Sequence, residues 1–327
     1  MLTITEAIFS GSLIIVFLIL GALSGAFIYF ITFSYPKEQI RIRPVNVLLI
    51  CSAAPLLVIL LLSFLILLPS FANWLGLVSE HCHQSINGVS RFCGPHRPVP
   101  LHNVFGWWIS VLLTGIFLRF LFVLSDDIDR INDILRTLEI STKARITGDV
   151  GVIDSEHPLA LSVGFPQARI FISSHLTNHL SETELAVVLA HERAHIRRRD
   201  ILKYLLVRTL CYLHFPAVRR GLLGDLSLAI ENACDEVAAA EIGDRHHVAE
   251  TILSVERLFR SCSPRHCNGA FSIAGSNIAA RIELLLGERQ STNCHWWLPT
   301  LGSSVVGLLI FASVNPLHYF VEMAFAR

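Results

Sequence analysis

His191-Glu192-Arg193-Ala194-His195 has the form H-E-x-x-H. On a helix its two histidines fall at i and i+4, on one face. Two imidazoles so placed can bind one Zn²⁺, with Glu192 beside the metal as general base. The flanks supply the helix. Ser181-Glu182-Thr183-Glu184 is a capping box, with Ser181 as N-cap and Glu184 at N3. Leu185, Val188, Leu189 and Ile196 follow with alanines between and no Gly or Pro, which predicts a helix from about 182 to about 199. A solvated charged helix with incidental histidines is the plainer alternative.

The 327 residues are 53% hydrophobic, and the mean hydropathy is +0.56. That is too apolar for an ordinary soluble globule and predicts a membrane protein. The formal charge is zero, so no basic field suggests direct contact with nucleic acid. Eight cysteines in a chain this long do not make a disulfide scaffold.

Four transmembrane helices are expected. Three lie in residues 1–124, at about 7–33, 45–68 and 105–123, with an outer loop over 69–104. The fourth, 298–314 within a closing segment 298–327, starts at the interfacial anchors Trp296 and Trp297. No cleavage site follows the first run, so a removable signal peptide is not expected. Gly21 and Gly25 form a small-x-x-x-small face suited to close helix packing. Pro55 lies inside the second span, where neighbouring helices can tolerate it.

Lys37, Arg41 and Arg43 mark the link between the first two spans as cytoplasmic. The N-terminus and the 69–104 loop then lie outside, and residues 125–297 inside, in the inner membrane of a bacterium. Cys82 and Cys93, in the outer loop, are candidates for a disulfide, with a metal-sensing cluster including neighbouring histidines as the alternative. Cys51 and Cys211 read as small apolar residues.

The 125–297 segment reads as an α+β domain. A helix is expected over 126–138, short strands over 144–153, 159–163 and 168–173, and further helices over 218–242, 247–260 and 277–287. Zinc catalysis needs a third protein ligand, and Glu231-Asn232-Ala233-Cys234-Asp235 offers it from another helix. Glu231 and Asp235 share a face, so one can bind metal while the other holds a histidine N–H. Glu231 is assigned to the metal and Asp235 to orientation, although spacing alone allows the swap, Glu236 or Glu241. Substrate is expected to lie extended along a sheet edge formed by Arg169, Ile170, Phe171 and Ile172, with plain core packing as the alternative. Arg281 reads first as a surface salt-bridge partner, with a role behind the metal ligands or at the oxyanion as the alternative. Arg197 to Arg199 read as facing lipid headgroups or pairing with Asp200.

H-E-R-A-H-I-R-R-R-D followed by E-N-A-C-D-E resembles the BlaR/MecR-type membrane metallopeptidases, the antirepressor family of the small gluzincins. The resemblance implies a mostly α membrane protein with a cytoplasmic gluzincin-like zinc metalloprotease domain. It makes His191, His195 and Glu231 the zinc ligands and Glu192 the catalytic base. Relatives that sense beta-lactams carry an extracellular penicillin-binding domain after the last span; this sequence shows none, so the sensing input does not carry over. The expected function is a zinc metalloendopeptidase that cleaves a cytosolic repressor, with a homodimer compatible. An HtpX-like quality-control protease and a non-catalytic transducer with structural zinc are the alternatives.

Overall fold

The computed structural model describes residues 4–33, 45–74, 104–147, 150–261 and 278–287. The fourth span, the Lys37–Arg43 link and the Cys82 and Cys93 loop lie outside the described residues.

Three long helices open the chain: α1 (Ile4–Phe33), α2 (Val45–Trp74) and α3 (Val104–Ile140). Among the described residues, Val45–Phe64 is long and apolar enough to cross a membrane, with mean hydropathy 2.8, and Ile15–Ile31 is a shorter apolar helix. Phe17, Val58, Ile59, Leu62 and Leu112 bury one another between the three helices. α1 packs tightly on α2 at the two glycines. A Cβ on Gly21 would sit 3.1 Å from the Ile59 side chain, and one on Gly25 would sit 2.7 Å from the Pro55 ring. α2 continues through Pro55 without a break.

The expected boundary at 124/125 falls inside α3. The apolar third run and the amphipathic 126–138 stretch form one helix because nothing between them breaks it: Leu124-Ser125-Asp126-Asp127 contains neither Gly nor Pro. At 1.5 Å per residue this helix is about 55 Å long.

Four strands follow, β1 (Thr142–Thr147), β2 (Val150–Ile153), β3 (Ala160–Val163) and β4 (Arg169–Ser173), in the order β1-β2-β4-β3. β2 and β4 are parallel, with Val150 opposite Ile170; β3 and β4 are antiparallel, with Ala160 opposite Ile172. Alternate side chains face opposite ways. Ile153, Leu161, Val163 and Phe171 pack on Ile131, Ile134, Leu135 and Leu138 of α3. Val150, Ile170 and Ile172 pack on Leu176, Leu180, Val188 and Leu189 of the following helices. The sheet is thus covered on both faces, which is why β4 is buried along nearly its whole length.

Those helices are α4 (Ser174–His179), α5 (Glu182–Arg198), α6 (Asp200–Leu210), α7 (Pro216–Ile242), α8 (Arg245–Ser261) and α9 (Ile278–Leu286). A 3₁₀ turn, Cys211–Leu213, ends α6. The capping box of α5 is formed: Ser181 N–H donates to Glu184 Oε2 at 2.9 Å, and Glu184 N–H donates to Ser181 Oγ at 3.3 Å. α5 stops at Arg199, whose φ of 53° is left-handed, and α6 starts there at a new angle. Pro216 occupies the first turn of α7, where its missing N–H costs nothing, and Gly243 closes that helix at φ 84°. Ala190, Ala194, Cys234 and Ala238 are each at most 1% exposed, and these small side chains let α5 and α7 pack closely.

Candidate metal centre

α5 presents His191 and His195 from one face, and α7 presents Glu231 and Asp235 to the same space. The two Nε2 atoms lie 3.2 Å apart. Glu231 Oε2 is 3.4 Å from His191 Nε2, and Glu231 Oε1 is 3.7 Å from His195 Nε2. Both imidazoles are otherwise turned by acids. His191 Nδ1 meets Asp235 Oδ1 at 2.9 Å, and His195 Nδ1 meets Asp200 Oδ2 at 3.3 Å.

That arrangement sets the protons. With each Nδ1–H donated to a carboxylate, each neutral ring points the Nε2 lone pair at the other and at the Glu231 carboxylate. Two ring nitrogens and a carboxylate converge with no donor among them, which is repulsive unless a cation or a proton sits between them. A tetrahedral ion with metal–nitrogen bonds of about 2.0–2.1 Å holds its ligand atoms about 3.3–3.4 Å apart. The observed separations fit that geometry, so His191, His195 and Glu231 could hold one divalent ion. Asp235 and Asp200 fix the two tautomers.

The electrostatics agree. Burial pulls His191 down, but hydrogen bonds to Asp235 and Glu231 and their negative charges outweigh it and hold the imidazole up at about 10 without metal. Burial pushes Glu231 up, but His191 and the charge of Arg281 bring it down to about 2. Asp235 is likewise lowered, against its own burial, by His191 and Arg281. Asp200 is held at about 2 because His195, Lys203 and Arg198 outweigh its desolvation. All three acids stay ionised at neutral pH. Glu192, next to His191 on α5, is buried at 8% exposure.

Three groups were not assigned to the site by sequence reasoning. Arg281 is no surface salt bridge: it is 9% exposed, its Nε and Nη2 bond both oxygens of Asp235, and its Nη1 lies 3.1 Å from Glu231 Oε2. Its signal was present, because Arg281 sits four residues before the fully buried Leu285, on the inward face of α9. Asp200 was paired only with the arginine run. Arg198 does bond it, but so do Lys203 and His195, while Arg197 reaches Glu241 instead. Cys234 lies behind the site, its Sγ 3.3 Å from His195 Nδ1 and 3.3 Å from Asp200 Oδ2; burial pushes that thiol far up, so it stays protonated.

The expected substrate edge requires correction. Arg169, Ile170, Phe171 and Ile172 form β4, which has β2 on one side and β3 on the other, so its backbone groups are already paired. Among the described residues, the strand bordering α5 with one neighbour in the sheet is β3. Arg169 instead reaches Glu139 on α3 at 2.5 Å.

Residues 132–285 match the family model described as BlaR1 peptidase M56. The match spans the end of α3, the sheet and helices α4 to α9, and therefore every residue of the cluster. No solved structure matches the chain. The match supports a BlaR/MecR-type peptidase family for this segment.

Proposed function

With residues 132–285 matching the BlaR1 peptidase M56 family, we propose that the chain is an integral-membrane zinc metalloendopeptidase. The observation that carries the metal assignment is the convergence of His191 Nε2, His195 Nε2 and the two carboxylate oxygens of Glu231 at 3.2–3.7 Å, with each histidine backed by an acid. Zinc in that position would supply Lewis acidity for a peptide carbonyl and lower the pKa of water towards about 7.

The chain's own residues do the rest. Glu192 takes the proton from the attacking water and returns it to the departing amine. Asp235 and Asp200 keep both imidazoles turned with Nε2 towards the ion. Arg281 anchors Glu231 and Asp235, so α9 closes the acidic side of the site. Substrate lies extended along β3, whose outer edge can accept one more strand beside α5.

The membrane assignment rests on the apolar residues that α1, α2 and α3 leave exposed, among them Ile15, Phe30, Leu57, Phe64, Phe117 and Phe122 at 55–63%. Large apolar side chains exposed along all three helices suit lipid rather than water. The location is a bacterial inner membrane with the protease domain cytoplasmic. The substrate class that the family resemblance favours is a cytosolic transcriptional repressor.

The test is Glu192→Gln in the full chain. Bound zinc, measured by elemental analysis, should stay at one ion per chain, while cleavage of a protein substrate falls at least a thousandfold. Undiminished cleavage, or zinc content unchanged in His191→Ala and Glu231→Ala, overturns the assignment.

A further inference from the structure

The hairpin made by α6, the 3₁₀ turn and the start of α7 is wedged into the long-helix bundle. Ile28 of α1 and Val47, Leu48, Cys51 and Ala54 of α2 share one buried cluster with Val207, Cys211, Val218, Leu222 and Leu226. The tip enters deepest at His214. A Cβ on Gly25 would lie 2.6 Å from the His214 ring, so only glycine admits it there. Pro55 has no N–H, which leaves the carbonyl of Cys51 without its helical donor. The His214 ring faces that carbonyl and bonds the Ser52 carbonyl through Nε2 at 3.1 Å. Inside a bilayer such backbone oxygens need a protein partner.

Three helices independently give the depth. Ser52 is seven residues in from the start of α2, Gly25 eight residues from the end of α1, and Arg119, which stacks over Tyr212 at 5.1 Å, seven residues before Asp126 on α3. At 1.5 Å per residue, each places the tip about 10–12 Å below the polar ends of the bundle. A hydrocarbon leaflet is about 15 Å thick.

The outward face of the hairpin matches that depth. Leu202, Leu206, Tyr212 and Phe215 are 36–42% exposed and continue the apolar surface of α3. Arg119 and Arg219 stack on Tyr212, which suits guanidinium groups reaching back to phosphates while their stems stay in acyl chains. We propose that residues 202–217 form a membrane-dipping hairpin whose occupant is the inner-leaflet lipid, so that α6 links the bilayer to the site at Asp200. This rests on the membrane reading above.

The experiment places single cysteines in the full chain, Leu206→Cys, Tyr212→Cys and Phe215→Cys on the hairpin. Phe117→Cys and Leu118→Cys report on α3, and Leu253→Cys and Phe259→Cys on α8, where exposure is similar at 38%. Membranes open on both sides are treated with a charged maleimide, and labelling is read peptide by peptide by mass spectrometry, which leaves the native cysteines in place. The hairpin sites should label at least tenfold more slowly than the α8 sites, as should the α3 sites. Hairpin labelling at the α8 rate with α3 still protected overturns the hairpin and leaves the membrane reading standing. Rapid labelling of α3 as well overturns both. Protection of α8 too would mean that lipid is not the cause, and also overturns the proposal.

Discussion

Arg281 and Asp235 are joined by two hydrogen bonds, 2.8 Å from Nε and 2.7 Å from Nη2, and Asp235 is 0% exposed. This pair ties α9 to α7 directly behind His191. Breaking a buried pair from one side leaves an unpaired charge and costs about 3–5 kcal/mol. Arg281→Ala is therefore expected to destabilise the protein on that scale, read by thermal unfolding. Arg281→Lys keeps the charge but not the two-pronged fit, so it should fall between wild type and Arg281→Ala. Equal stability of all three would mean the pair contributes nothing.

The acids behind the histidines make a separate prediction. Asp235→Asn and Asp200→Asn each weaken the hold on one imidazole tautomer without touching a proposed ligand. Each should reduce zinc affinity about 10–100-fold, measured by competition with a chelator. The Asp200 variant should act through His195 alone, so combining it with Asp235→Asn should give near-multiplicative losses. Wild-type affinity in both variants would remove these acids from the site.

The start of α5 carries a pH dependence of known sign. The Ser181 backbone N–H, more than any other group, lowers Glu184 below its ordinary value. A carboxylate lowered on folding stabilises above its unfolded pKa, near 4.5, and loses that contribution as pH falls through its folded value. Glu184→Ala should cost about 1 kcal/mol at pH 7, and the gap to wild type should narrow on acidification through pH 4. A gap that widens on acidification contradicts the sign.

Arg199 offers the opposite kind of test. It holds φ 53° where α5 turns into α6, and its side chain makes no cap bond. A left-handed L-residue costs about 1–2 kcal/mol, part of which glycine returns as lost freedom in the unfolded chain. Arg199→Gly should raise stability by about 0.5–1 kcal/mol in thermal unfolding, with zinc content unchanged. A lowered midpoint would mean that Arg199 makes a contact worth more than its strain.

Local signals read well from the chain. The capping box at Ser181, the Gly243 stop and the proline at 216 act within a few residues of themselves, so α5 and α7 fall where their punctuation puts them. The helical period likewise places His191 and His195 on one face, and Glu231 and Asp235 on another. Two inferences that required knowing a neighbour failed. β4 reads as an edge because strand order has no trace in a run of five residues. Arg281 reads as exposed because its two acids lie 46 and 50 residues away. At 124/125 the composition changes while the backbone carries on as α3.

From its sequence alone, then, the chain determined the chemistry at hand: two imidazoles and a pair of carboxylates at helical spacing, and long apolar runs in its first part. The tertiary structure decided the rest. It alone set the 3.2–3.7 Å convergence of the two imidazole nitrogens and the Glu231 carboxylate, the acids that turn each ring, and the seating of His214 between Gly25 and Pro55. The physical reason is range. Capping and periodicity act through covalent neighbours, whereas a metal-sized cage and a helix groove exist only where segments distant in sequence are packed against one another.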